Sequence, residues 1–201
     1  MKGFDMSVVV NVCDSNFTMM VSDNRLVKID MLGNIEPVSD HFKKIFRINE
    51  NVLIGFVGDA LQCQNTMHEI YKYNLRELTL DRIKDIVKEF LEKHKNEINK
   101  LGVRVILSGR QSNGKFITYA YDSSDNFSEV IYDPGDKMCL VYGVPKGVDK
   151  SCNYGEIIDS AIRDNKFNST SELVKIIGNA IYEISKLNPV VNNVISYEVI
   201  S

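Results

Sequence analysis

The apolar period of this chain switches twice from two to three-and-four, and that double switch limits the folds open to it. Before Gly58 the apolar residues come in short β-branched or alternating runs. From Asp59 to Ile98 they fall at helical spacing. Strand-like runs return at Val103, and helical spacing returns after Ser151. Strand runs alternating with pairs of helices fit an α+β architecture, whereas strict βα alternation would favour a parallel sheet.

The first half opens with Ser7 to Cys13 and Phe17 to Ser22, two apolar runs around the turn residues Asp14-Ser15-Asn16, which predict a hairpin. Leu26 to Asp30 alternates as a short third strand. Met31 to Asp40, with Gly33, Asn34 and Pro37, reads as a loop. A second hairpin runs from Lys44 to Ile48 and from Val52 to Val57. A helix is predicted over Asp59 to Asn74, and Thr79 caps a longer one carrying Leu80, Ile83, Val87, Phe90, Leu91 and Ile98.

The second half repeats the order. Val103 to Leu107 and Phe116 to Tyr121 flank Ser112-Asn113-Gly114. Ser128 to Tyr132 and Lys137 to Tyr142 flank Asp133-Pro134-Gly135-Asp136. A helix starts at Ser151. Ser169-Thr170-Ser171-Glu172 has capping-box spacing for another, whose Gly178 is tolerable where it permits close helix packing. Pro189 stops that helix, and Val194 to Ile200 closes the chain as a strand. Two antiparallel sheets stacked face to face, with a helical pair outside each, would bury every apolar face. With no linker or shift in composition, residues 1–201 read as one domain.

Composition narrows the function. Lys and Arg total 24 against 27 Asp and Glu, a net charge of −3 that gives no reason to expect nucleic acid or an anionic membrane. No apolar run is long enough to cross a bilayer, and the acid at Asp5 argues against a secretory leader. Cys13, Cys63, Cys139 and Cys152 form no Cys-x-x-Cys pair. The expected reading is reduced thiols, mostly buried, in a cytoplasmic protein. His41, His68 and His94 are scattered, so neither a metal nor another cofactor is expected. The serine-hydrolase, phosphate-loop, zinc-protease and dinucleotide signatures are missing.

What remains is a constellation at strand ends. Asp23 follows the second strand in Ser22-Asp23-Asn24-Arg25. Lys44 opens the second hairpin. Gly55-Phe56-Val57-Gly58-Asp59 reads as a strand-to-helix turn whose backbone N–H groups could meet an oxyanion.

In this order the segments resemble the proteasome-type N-terminal-nucleophile hydrolases, including the bacterial ring peptidases that work with an ATP-dependent unfoldase. Lys44-Ile45-Phe46-Arg47-Ile48 through Val52-Leu53-Ile54-Gly55-Phe56-Val57-Gly58 looks like the family's lysine strand and the glycine-bearing strand after it. Ser22-Asp23-Asn24-Arg25 is similar to its aspartate-x-arginine turn. The family nucleophile begins the first strand sixteen positions before that aspartate, which is Ser7 here. The resemblance spans nearly the whole chain and implies a four-layer αββα sandwich.

It also implies a mechanism. Ser7 would be the nucleophile and its own α-amine, with a pKa of about 7.7–8.0, the base. Asp23 would hold Lys44, and the Gly58 N–H would receive the oxyanion of a peptide or amide substrate. Stacked homo-oligomeric rings and an unfoldase partner follow from the same likeness.

The chain departs from the pattern in two ways. Six residues precede Ser7, ending in Met6 where self-processing relatives carry glycine, so residues 1–6 read as an extension or propeptide. The family's later glycine-serine-glycine matches Gly143-Val144-Pro145, and its late aspartate and serine match Asn188 and Val191. A non-catalytic ring or scaffold subunit is therefore the rival expectation, and an unrelated α+β binding domain a third.

Overall fold

The computed structural model describes residues 3–6, 8–30, 32–98, 102–143 and 153–201. Strands come first: β1 (Gly3–Met6), β2 (Val9–Cys13), β3 (Thr18–Asp23), β4 (Leu26–Ile29), β5 (Ile35–Ser39), β6 (Ile45–Asn49) and β7 (Val52–Asp59). Helices α1 (Ala60–Ile70) and α2 (Leu80–Ile98) follow, with a 3-10 turn at Leu75–Glu77 between them. Then come β8 (Val103–Arg110), β9 (Phe116–Asp122), β10 (Val130–Tyr132) and β11 (Cys139–Gly143). Helices α3 (Tyr154–Asp164) and α4 (Thr170–Leu187) and the strand β12 (Ile195–Ile200) complete the order.

The larger sheet runs β10-β9-β8-β7-β1-β4-β5, with β6 also paired to β7; the smaller runs β11-β2-β3-β12. Every pairing given by register is antiparallel, as expected for an α+β fold. β10 and β11 belong to different sheets, so Asp133-Pro134-Gly135-Asp136 carries the chain from one sheet to the other.

The strand alternation explains the packing. On β7, Val52, Ile54 and Phe56 join Ile70, Leu80, Ile83 and Val87 of α1 and α2. Leu53 and Val57, on the other face, meet Val9, Met20 and Val141 of the smaller sheet. On β2 and the residue before it, Val8, Val10 and Val12 pack against Ile158, Leu173, Ile177 and Ile181 of α3 and α4. Both faces of these strands are buried, which is why they read as nearly continuous apolar runs. Each such Ile or Leu contributes roughly 1.5–3 kcal/mol by leaving water.

One polar group of side chains interrupts the contact between the sheets. Asn11 Nδ2 donates to Thr18 Oγ1 (3.0 Å), Thr18 Oγ1 and Ser108 Oγ lie 2.6 Å apart, and so do Ser108 Oγ and Thr118 Oγ1. Thr118 Oγ1 closes the ring by donating to Asn11 Oδ1 at 2.8 Å. All four residues are fully buried. The ring satisfies each of them and fixes how the two sheets are aligned.

Several local expectations are corrected. Met31 to Asp40 is not all loop, because Ile35–Ser39 forms β5 beside β4. Asp30 builds the turn, accepting from the N–H groups of Leu32 and Asn34, and Pro37 is tolerated because β5 is an edge strand. The residues before Ser7 supply a strand that the composition did not suggest. The first helix ends at Ile70 rather than Asn74. Ser151 lies outside the described residues, and Asn153 caps α3 by accepting from the Glu156 N–H. Other signals hold: Thr79 accepts from the Arg82 N–H and Ser169 from that of Glu172. A Cβ on Gly178 would sit 2.9 Å from Ile195 Cδ1, so the glycine lets α4 pack close to β12.

Candidate active site

Lys44 and Asp23 are brought together. Lys44 precedes β6 and ties its carbonyl to β7 by accepting from the Phe56 N–H at 3.0 Å. Its Nζ lies 2.6 Å from Asp23 Oδ1, and neither side chain is exposed. The adjacent Lys43 instead reaches the surface, with Nζ 3.5 Å from Glu198. One position along the chain thus separates a solvated lysine from a buried one. Burial drives the Lys44 pKa below its ordinary value, while the neighbouring carboxylates of Asp23 and then Asp5 oppose that shift.

Asp23 ends β3 and is fixed through both oxygens. Oδ1 also accepts from the Val8 N–H at 2.8 Å; Oδ2 accepts from the N–H of Arg25 at 3.0 Å and from that of Asn192 at 3.4 Å. Ser7 lies outside the described residues. Its amide to Val8 carries the nitrogen that binds Asp23.

Gly58 is a strand residue rather than part of a turn. β7 runs through Asp59, which then caps α1 by accepting from the Gln62 N–H at 3.0 Å. Gly58 has φ +99°, and a Cβ there would lie 1.7 Å from the Gly102 carbonyl oxygen. No other residue type fits without moving backbone. On one side it pairs with Val103 of β8, and on the other with Met6 of β1.

A cavity of about 400 Å³ is lined by chain neighbours of Lys44 and Gly58. Phe42 and Phe46, two positions either side of Lys44, line it, as do Phe56 and Ala60, two positions either side of Gly58. Its wall is largely apolar, with Met67 buried and His68 exposed. Cys63 also borders the cavity, but burial raises its thiol pKa well above the ordinary value, so it is a poor nucleophile.

The sequence missed the clamp around Asp23. Asn192 Oδ1 accepts from the Asn24 N–H, and its Nδ2 reaches Asp40 Oδ1 at 3.1 Å. Arg25 Nε donates to Asp40 Oδ1 at 2.7 Å and Nη1 to the Pro189 carbonyl at 2.9 Å. The resemblance pointed instead to Asn188 and Val191. Asn188 bonds the Tyr154 hydroxyl at 3.0 Å, and Val191 is buried with α3 and α4. Asn192, one place beyond Val191, makes the polar contact. No local pattern distinguishes it from Asn193. Val144 lies outside the described residues.

Among the described residues, no cluster of His, Cys, Asp and Glu could hold a metal ion, and no helix is long and apolar enough to cross a membrane. Cys13 and Cys63 are buried, Cys139 is half-buried, and Cys152 lies outside the described residues.

No family model matches the sequence, and neither does any curated protein. The fold does have a solved counterpart. The structure of eukaryotic HslV from Trypanosoma brucei superimposes with a TM-score of 0.58 at 14% identity. The match covers 97% of this chain and 99% of that one. The chain therefore has a proteasome/HslV-like fold.

Proposed function

We propose that this chain is a proteasome-type N-terminal-nucleophile hydrolase that cleaves peptide or amide bonds through an acyl ester on Ser7 once the Ser7 amine is free. One observation carries the reading: both chain neighbours of Ser7 are held by residues expected in the site. Met6 pairs with Gly58, and the Val8 N–H binds Asp23, which binds Lys44.

In this scheme the Ser7 α-amine takes the hydroxyl proton as Oγ attacks the carbonyl carbon. The Lys44 ammonium, held by Asp23, favours the neutral amine that can accept that proton. The Gly58 N–H receives the developing oxyanion, the proton passes to the leaving amine, and water then releases the acyl group. The cavity beside Phe42, Phe46 and Phe56 suits a large apolar side chain on the acyl side of the cut bond.

The same reading takes residues 1–201 as one domain with layers in the order helices, sheet, sheet, helices, and residues 1–6 as an extension. It carries assembly into homo-oligomeric stacked rings in the cytoplasm, with an ATP-dependent unfoldase as a candidate partner.

A non-catalytic scaffold subunit is the second reading. It is favoured by β1, which is paired along both edges, and by Asn188, which is committed to Tyr154. Protein released from a removable leader so that Ser7 is its first residue separates the two. Hydrolase activity predicts labelling by a serine-reactive acylating probe that is lost in Ser7→Ala. No labelling of a folded, Ser7-initiated chain would favour the scaffold.

A further inference from the structure

Cys13 and Cys139 face each other across two strands. Cys13 ends β2, Cys139 opens β11, and the antiparallel register sets them directly opposite. Residues so placed project to the same face of a sheet, with Cβ atoms about 4.5–5.5 Å apart. Their Cα atoms lie about 4.5 or 5.5 Å apart, according to the type of pair. Both values fall inside the window of about 4.4–6.8 Å that a disulfide needs. The face is the one between the sheets, where Cys13 packs with Val9 and Val141. Val141 is two positions along β11 from Cys139, hence on the same side of that strand. Cys139 is also among the groups that act electrostatically on the Cys13 thiol. Both are free thiols in this structure.

The two differ in access. Cys13 is fully buried, whereas Cys139 is half-buried on β11, an edge strand of the smaller sheet. A reagent from solvent therefore meets Cys139 first. Cys63 lies on α1 and packs on the helix side of the larger sheet, so that sheet stands between it and Cys13.

We propose that Cys13 and Cys139 form a reversible disulfide modification site, which pins β11 to β2 when the chain meets a low-molecular-weight disulfide such as oxidised glutathione. The Cys139 thiol gives up its proton and attacks one sulfur of the oxidant, whose S–S bond breaks and releases one thiol. Cys13 then gives up its proton and attacks Cys139 Sγ. The mixed disulfide breaks, the Cys13–Cys139 bond forms, and a second thiol leaves. The two cysteines lose two electrons and two protons, and the oxidant takes up both as two thiols. Closing the bond draws the strands together by roughly 1 Å, because disulfide Cβ atoms lie about 3.8 Å apart on average. That strain makes the bond easy to reduce, which suits a switch better than a permanent staple.

The bond closes a loop from Cys13 to Cys139 that holds β3 to β10 with α1 and α2. It fixes β11 at its first residue, where the chain arrives from β10. At the other end of the strand, Gly143 pairs with Val9, two positions beyond Ser7, and Arg104 Nη1 donates to the Tyr142 carbonyl at 2.5 Å. Neither cysteine takes part in the proposed hydrolysis, so the bond forms or fails whether or not Ser7 is a nucleophile.

The test uses the unaltered full chain, equilibrated with excess oxidised glutathione, quenched with N-ethylmaleimide and digested with trypsin. The expected product is peptide 3–25 joined to peptide 138–146, at least tenfold in excess of any pairing of Cys63 or Cys152. Reduced glutathione should return both thiols. Glutathione adducts alone in a folded chain, or a dominant bond to Cys63 or Cys152, overturn the proposal, and so does a bond that reduced glutathione cannot reopen. The oxidised chain should also exchange its β11 amide hydrogens at least tenfold more slowly than the reduced chain, and equal rates would mean that nothing is pinned. Cys139→Ser must lose both the linked peptide and the slowing; slowing that persists in it overturns the assignment. If that variant does not fold, the digest and the exchange of the unaltered chain decide the matter.

Discussion

Lys44 Nζ approaches Asp23 Oδ1 to 2.6 Å in a place where neither side chain meets solvent. A buried pair of this kind gains little net stability over an apolar substitute, because both ions lose their hydration. Removing one partner is a different matter, since it strands the other charge. Lys44→Met is therefore expected to lower unfolding stability by about 3–5 kcal/mol. The double variant Asp23→Asn with Lys44→Met should recover a large part of that loss. Urea denaturation of the two single variants and the double variant measures the coupling, and additive losses would mean the two groups do not interact.

The same pair sets a pH dependence. Burial lowers the Lys44 pKa from 10.5, so in the upper part of the alkaline range the unfolded chain holds a proton that the folded chain has released. Stability then rises with pH from the folded value towards 10.5. Tyr119 acts in the opposite sense: burial, then Asp81, pushes its pKa up from 10.0 to about 12, so it erodes stability above the ordinary tyrosine range. The comparison belongs below about pH 10, where the tyrosine contribution is small. Relative to the Asp23→Asn, Lys44→Met double variant, the parent should gain stability as pH climbs through this window. A flat difference between the two denaturation profiles would remove Lys44 as the cause.

Gly58→Ala tests a backbone requirement. The left-handed φ of +99° costs a non-glycine residue of order 1–3 kcal/mol, and the contact with the Gly102 oxygen adds to it. The expected result is a lower melting temperature with an unchanged far-ultraviolet spectrum, together with loss of acylation in the Ser7-initiated chain. Gly33→Ala is the control, because its φ is also positive but nothing lies within 4 Å of the added Cβ. It should suffer the conformational cost alone.

Elements whose signal is local were legible in the sequence. The caps at Thr79 and Ser169 and the buried runs of β2, β3, β7 and β8 each depend on neighbours in the chain or on period. β1 was not legible, because Gly3-Phe4-Asp5-Met6 has weak strand character and its order comes from β4 and β7 on either side. β5 was hidden for a similar reason, since an exposed edge strand needs neither apolar alternation nor freedom from proline. In the site, Asp23, Lys44 and Gly58 stood out through their order along the chain. Asn192 did not, because its hydrogen bonds to Asn24, Asp23 and Asp40 join segments more than 150 positions apart.

The ring of Asn11, Thr18, Ser108 and Thr118 supplies the last prediction. It sits between the sheets, where an apolar side chain of equal size would pack, yet its members close on one another at 2.6–3.0 Å. Thr118→Val keeps the shape but removes the hydroxyl, which leaves Asn11 Oδ1 without that donor and takes from Ser108 one of its two hydroxyl partners. Leaving a buried polar group unsatisfied costs about 1–3 kcal/mol, so a loss of that size is expected in chemical denaturation. Cys13 provides an independent readout. Burial raises its thiol pKa from 9.0 to about 11, with the hydroxyls of Thr118, Ser108 and Thr18 pulling the other way. Thr118→Val removes the largest of those opposing hydroxyls, so the Cys13 thiol should hold its proton more firmly and react more slowly with a disulfide reagent at mildly alkaline pH. Equal labelling rates at Cys13 alongside equal stability would mean that the ring is decoration on an interface held by its apolar contacts alone.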